Sequence, residues 1–339
     1  MTRQQPTMAD IARQAGVSRV AVSYALNGRP GVSDEVRERI VRIAREVGFS
    51  ANGPAQALHG TVVRAVGLTM RRPSAAFHVE VFRRELISGV QSELMAREIG
   101  LALQFVDGLD AEIEVYRRWS ADRRVAGVLL CDLVADDPRV ALMAALDLPA
   151  VVVGGPVTGP GLSSVWSDDG AAVAASVRYL AGLGHRRITR VGGPPRMLHT
   201  VLRSETFLAA CAQAGVRGTV LDSDYTGESG AQATRRMLSA RERPTAICYD
   251  NDVMAVAGLA VAAEMGIAVP GDVSMMAYED SPLCQVVHPP LTVLRRDIVG
   301  YGAHAARLLL DVIAGGPPTS VLDHAATLVA RDSVGPAAS

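Results

Sequence analysis

Apolar residues in the first 50 positions recur at three- and four-residue spacing, the mark of helices that bury one stripe. Three short helices are expected, over "MADIARQA", "SRVAVSYAL" and "SDEVRERIVRIAREVGF". The third has Ser33 as N-cap, acids in its first turn, and Val36, Ile40, Ile43, Ala44 and Val47 at helical spacing, with Gly48 closing it. Gly16 permits an angled turn between the first two, and Ser18 is a credible N-cap for the second. Ala12, Val17, Val22 and Leu26 would form a small core, leaving Arg19, Val20, Ser23 and Tyr24 on the outer side. Residues 51–60, "ANGPAQALHG", read as a linker in which Pro54 opens a helix too short to stand alone.

The period changes from residue 62 onward. "RAVGLTM", "GLALQFV", "VAGVLLC" and "LPAVVVGG" are apolar runs of strand length, separated by helical stretches such as "FRRELISGVQSELMARE". The alternation restarts after about residue 160 with "SSVWSD", "RRITRVGG", "RGTVLDS", "PTAICYD" and "DVSMMAYED". Strands alternating with helices imply right-handed βαβ units, and two such series imply two doubly wound parallel sheets. Ligands of such sheets bind beyond the carboxyl ends of the strands, so a cleft between the two halves is expected. The fold class is α/β, with an all-α head.

Composition sharpens this picture. At 339 residues and 49% apolar content, the chain can build two or three cored domains. Its net charge of −1 hides an asymmetry. Residues 1–60 hold eight Arg against five acids, about +3, and the remainder holds 26 Arg against 30 acids, about −4. A basic head on an acidic body suits nucleic acid at the head. All 34 basic residues are Arg. Cys131, Cys211, Cys248 and Cys284 lack Cys-x-x-Cys spacing, which fits free thiols in a reducing compartment. The N-terminus has no apolar signal core, and no run of about 18 apolar residues occurs, so a cytoplasmic protein with no membrane partner is expected.

A short helix whose N-terminal side chains are free to enter the major groove, set after a turn, is the helix-turn-helix arrangement. Arg19 can fork onto a guanine edge, Val20 can meet a thymine methyl, and Tyr24 can reach a base or phosphate. The bland alternative is a helical hairpin packed on a neighbouring domain.

The long ordered string from Thr7 to Leu58 decides between these readings. Its pieces "DIARQAGVS", "VSYALNG", "GVSDEVRERI" and Asn52-x-x-Ala55-x-x-Leu58 resemble the head and hinge of lactose-repressor-type (LacI/GalR) transcriptional regulators. The resemblance continues through "LGHRRI", "NDVMA", "VPGDVSMMAYED", "PPLTVLR" and "LVARDS". It implies a helix-turn-helix domain over 1–50, a hinge over 51–61 and a periplasmic-binding-protein-like effector and dimerisation domain over 62–339. The last would divide into an N-subdomain of about 62–160 plus 292–316 and a C-subdomain of about 161–291 plus 317–333.

By the same resemblance, DNA is touched by Thr7, Ser18, Arg19, Val20, Ser23, Tyr24, Asn27, Arg29, Asn52, Ala55 and Leu58, with Leu58 wedged into the central base step. Effector-binding candidates are Phe82, to stack on a ring, Arg203, Asn251 and Glu279. Asp252 reads as the N-cap of the next helix, and Asp168 as an organiser of the loop and helix start after it. Four departures stand out: Ala21 replaces the usual Thr, Pro54 follows Asn52 where a Pro usually precedes it, Glu279 replaces the usual Asp, and "VVVGGPV" lacks an Asp-Arg pair.

Enzyme motifs are missing: there is no Walker loop, no HExxH and no Gly-x-Ser-x-Gly. His185 reads as structural, "GGPP" at 192–195 as a turn out of a strand, and no metal or cofactor is expected. The expectation is a homodimeric repressor that binds double-stranded DNA at a near-palindromic operator and senses a small polar effector, a sugar or sugar derivative by family default. The runner-up is a sugar-binding protein whose head reads no DNA. A sugar-acting enzyme with a fused helical domain is the distant third.

Overall fold

The computed structural model describes residues 7–26, 29–47, 65–71, 81–156 and 162–338. Met1–Val62 and Val63–Ser339 are separate compact units. The expected linker over 51–61, with Asn52, Ala55 and Leu58, lies outside the described residues, as does Asn27.

The head consists of α1 (Met8–Ala15), α2 (Arg19–Leu26) and α3 (Asp34–Glu46). Gly16 ends α1 in the left-handed conformation at φ 66°, and its N–H returns to the Ala12 carbonyl. A side chain would be strained there, which is why the turn falls at a glycine. The core contains the expected Ala12 and Val22, with Val17 and Leu26 at its edge. Ile11, Ala15, Ala25, Ile40 and Ala44 complete it.

The body opens with β1 (Ala65–Met70), α4 (Val81–Met95), β2 (Gly100–Phe105), α5 (Leu109–Ala121), β3 (Val128–Cys131), α6 (Pro138–Ala145), β4 (Ala150–Val153) and β5 (Ser163–Trp166). It continues with α7 (Asp169–Gly182), β6 (Arg187–Val191), α8 (Leu198–Gln213), β7 (Arg217–Leu221), α9 (Gly227–Leu238), β8 (Ala246–Tyr249), α10 (Asp252–Glu264) and β9 (Ser274–Tyr278). The chain then runs through α11 (Pro282–Val286), β10 (Thr292–Arg295), α12 (Ile298–Ile313), β11 (Ser320–Leu322) and β12 (Thr327–Val329).

Two six-stranded sheets result, in the orders β11-β5-β4-β3-β1-β2 and β12-β10-β9-β8-β6-β7. All neighbours are parallel except β10 and β12. Helices cover both faces, so central strands such as β3, β4, β8 and β9 are buried along their length and read as continuous apolar runs. Alternate residues enter opposite cores: Leu129 and Val151 pack with α4 and α12, while Val128 and Val152 pack with α5. Helices α4 and α12 approach closely enough that a Cβ at Gly89 would lie 1.9 Å from the Val299 carbonyl oxygen.

The expected division of the body needs correction. β5, placed in the second half by the sequence pattern, pairs with β4 in the first sheet, and β11 pairs with β5 beside it. β10, placed in the first half, pairs with β9 in the second. Short apolar runs specify a strand but not its neighbour, which tertiary pairing selects. The chain therefore crosses between sheets at 166–169, 295–298 and 322–327.

Among the described residues no helix is long and apolar enough to cross a membrane, and no group of three or more His, Cys, Asp or Glu is placed to hold a metal ion. All four cysteines are buried free thiols. His185 joins Thr245 Oγ1 at 3.0 Å to the Gly335 carbonyl at 3.1 Å, a structural link as expected.

Candidate functional site

On the head, the Ser18 hydroxyl accepts from the Ala21 N–H at 3.1 Å and so caps α2. Arg19 is exposed, Val20 is 60% exposed, and Ser23 and Tyr24 are half-buried on the same helix. An apolar side chain held that far into solvent is a usable contact for a thymine methyl. Thr7 instead completes a capping box on α1: its hydroxyl donates to the Asp10 carboxylate at 2.6 Å and accepts from the Asp10 N–H at 3.4 Å. Those bonds from Thr7 hold the Asp10 carboxyl below its ordinary range. The other end of α2 is fastened by Arg37 of α3, a residue the sequence pattern did not single out. Its guanidinium donates to the carbonyls of Tyr24, Ala25 and Arg29 at 3.3, 3.0 and 2.7 Å. A cation on the last carbonyls of a helix satisfies orphan acceptors and complements the helix dipole. Arg29 itself is exposed just beyond.

In the body, the strand ends converge on one pocket that is partly open to solvent. Asp132 follows β3, Gly154 follows β4, Asp250 follows β8, Glu279 follows β9 and Arg296 follows β10, all as the carboxyl-end rule requires. Helix starts supply Phe82 and Arg83 from α4, Asp169 from α7, His199 and Arg203 from α8, and Asn251 and Asp252 where α10 begins, while Cys131, Val153, Tyr225 and Tyr301 complete the wall. Phe82, Arg203, Asn251 and Glu279, named from sequence, all lie in this lining.

Charge organises the walls. Arg203 grips Asp169 through Nε at 2.7 Å and Nη2 at 2.6 Å, and its guanidinium lies 3.9 Å above the centre of the Tyr278 ring. Arg296 donates to Glu279 at 2.9 Å, lies 3.8 Å from Asp169 and stands 4.7 Å from the centre of the Phe82 ring. Arg83 pairs with Asp132, and Arg190 of β6 pairs with Asp250 from behind the wall. Burial works to raise Asp169, yet Arg203 and Arg296 outweigh it and hold the carboxyl at about 2. Burial dominates at Glu279, pushing it to about 7 against the pull of Arg296. His199 is driven down to about 4 by burial and by Arg203, and it stays neutral while its Nε2 meets the Tyr225 hydroxyl at 2.8 Å.

One assignment is reversed. The N-cap of α10 is Asn251, whose side-chain oxygen accepts from Met254 N–H at 2.9 Å, and Asp252 is the first helical residue. The Asn251 amide also donates to the Tyr225 carbonyl at 2.9 Å. A carboxylate can accept but has no proton to give, so only Asn can do both. Asp168 caps α7 through Ala171 N–H at 2.8 Å, as expected. Arg83, Asp132, Asp169, His199, Tyr225, Asp250 and Arg296 were not anticipated. The usable signal was a charged residue immediately after an apolar strand run, as in "VLLCD", "ICYD" and "LTVLRR".

Comparisons with known proteins match both parts of the chain. Residues 7–52 match the family described as bacterial regulatory proteins, lacI family, and residues 177–334 match the periplasmic binding protein-like domain. The HTH-type transcriptional regulator AglR of Rhizobium meliloti (strain 1021) is 31% identical over 339 residues, covering 96% of this chain and 94% of its own length. The chain belongs to the LacI family of transcriptional regulators. The solved CelR–cellobiose complex is 30% identical with a TM-score of 0.74, across 97% of this chain and 99% of that one. The lac repressor dimer bound to operator and the anti-inducer ONPF shares the fold, with a TM-score of 0.82 at 23% identity over 98% and 100% of the two chains. In LacI-family terms, α1 to α3 form the helix-turn-helix head and the two sheets form the periplasmic-binding-like body.

Proposed function

We propose that this regulator is a homodimeric, cytoplasmic repressor that reads a near-palindromic operator and releases or grips it according to a small polar effector in the body pocket. The observation that carries the reading is the outer side of α2, where Arg19 and Val20 stand in solvent while both helix ends are fastened, by Ser18 and Arg37. A reading helix must be rigid and its tips free, and this one is both. Arg19, Val20, Ser23 and Tyr24 read each half-site, Thr7, Ser18 and Arg29 set the head on the backbone, and Leu58 of the hinge enters the central step. The polar pocket and the likeness to a cellobiose-bound regulator favour a sugar as effector.

The test is anisotropy with the full chain and short symmetric duplexes from its own genome, repeated across salt. A steep fall in affinity with salt is expected, together with a sequence preference. Arg19→Ala should lose about 1–3 kcal/mol on the preferred duplex and little on others. Arg37→Ala should weaken that binding while leaving the body's melting unchanged. Binding to no duplex, or binding with no sequence preference, overturns the repressor reading.

A further inference from the structure

So many arginines in one pocket suggest an anionic ligand, yet their pairing argues the opposite. Among the described residues, the lining contains three arginines, Arg83, Arg203 and Arg296, and five carboxyl groups, on Asp132, Asp169, Asp250, Asp252 and Glu279. Each arginine is engaged by a carboxylate: Arg83 by Asp132, Arg203 by Asp169, and Arg296 by Glu279. Asp250 is held by Arg190 from behind. Asp252 is 3% exposed, and its Oδ2 has no hydrogen-bond partner among the described residues. His199, half-buried beside Arg203 and shifted down to about 4, adds no positive charge at neutral pH.

A phosphate entering this space would meet guanidinium groups whose charge is already balanced by buried carboxylates, so no unpaired cation is there to repay the cost of desolvating its own charge. It would also stand close to the paired carboxylates Asp132, Asp169 and Asp250, and like charges in a desolvated site repel. A neutral polyol meets neither obstacle. Carboxylate oxygens engaged on one side still accept hydroxyl protons, remaining guanidinium N–H groups donate to hydroxyl oxygens, and Phe82, Val153 and Tyr301 offer apolar surface to a ring face.

We propose that the pocket takes an uncharged polyhydroxylated ligand, a neutral sugar, and excludes the phosphorylated or carboxylated forms of the same sugar. This rests on the reading of the pocket as the effector site. The binding of matched probes to the full chain tests it by thermal shift and calorimetry: neutral mono- and disaccharides including glucose and cellobiose, each beside its phosphate ester and its aldonic acid. A neutral sugar should bind, with its charged counterpart weaker by roughly 100-fold. Equal or tighter binding of a phosphate or acid overturns the proposal. Silence from the whole panel also overturns it, and operator binding by the same sample then shows whether the regulator reading survives. Glu279→Gln releases Arg296 and should narrow the gap between a sugar and its phosphate. An unchanged gap in that variant removes the charge argument.

Discussion

The two sheets of the body repeat one strand order, but they place their buried charges differently. In the first sheet, Arg139 is 0% exposed and bonds to Asp137 at 2.6 and 2.9 Å, to Glu112 at 2.8 Å, and to the carbonyls of Cys131 and Asp132. Glu112 also receives the hydroxyls of Thr69 and Tyr116 at 2.6 and 2.7 Å. The side chains of Arg139, Asp137, Glu112, Thr69 and Tyr116 do not line the pocket, and the network meets it through Cys131 and Asp132 at the end of β3. In the second sheet, the Arg203–Asp169 and Arg296–Glu279 pairs are themselves the pocket wall. Buried ion pairs cost desolvation wherever they occur. The first set is enclosed in the fold, and the second set also faces the pocket.

The largest effect should come from breaking the enclosed network. Arg139→Ala strands Asp137 without its cation and leaves Glu112 to Arg71 alone at 3.1 Å, and should cost about 3–5 kcal/mol in denaturant unfolding. A cost under about 1 kcal/mol would mean that the network relaxes or hydrates, and the contrast between the sheets would fail.

The next effect belongs to the pocket wall and depends on pH. Glu279 moves from an ordinary value of 4.5 to about 7 on folding. Below 4.5 it is protonated in both states, and as pH rises the unfolded chain ionises first and is favoured. Stability is therefore lost progressively until pH passes 7, a total of about 3 kcal/mol. Glu279→Gln should remove this slope, read as the difference between the two proteins' pH profiles. His199 works in the opposite sense, losing stability as pH falls from 6.5 towards 4, but it is common to both proteins and cancels. Parallel profiles would show that Glu279 is already solvated.

The smallest effect calibrates the others. Arg217 and Glu242 form an ion pair at 2.6 Å on the second sheet, each side chain 70% exposed. Arg217→Ala should change stability by roughly 0.5 kcal/mol or less. A loss comparable to that of Arg139→Ala would show that burial does not separate the two kinds of pair.

Much of this architecture is legible from residue spacing. The 3.6-residue stripe of the head, the glycine turn and the buried parallel strands follow from local pattern, because each needs only its own few residues. Sheet membership of β5, β10 and β11 did not follow, since pairing partners lie far along the chain. The pocket was half legible. Phe82, Arg203, Asn251 and Glu279 came from resemblance to a family, whereas the residues that balance their charge needed the fold. Arg83 and Asp132 are 49 positions apart, and Arg190 and Asp250 are 60. The Asn251–Asp252 reversal is of another kind: two adjacent good caps compete, and the distant Tyr225 carbonyl selects the one able to donate.

The triple passage of the chain between the sheets makes neither half a continuous stretch of sequence. Tyr301, Ala305 and Leu309 of α12 fill the first core from a position some 130 residues beyond its fifth strand. A single cut after Trp166 would thus yield a fragment lacking a helix of its own interior and its outermost strand. Grafting the sensing specificity of one relative onto another must move several separate segments together, and a simple swap at one junction would join mismatched interiors.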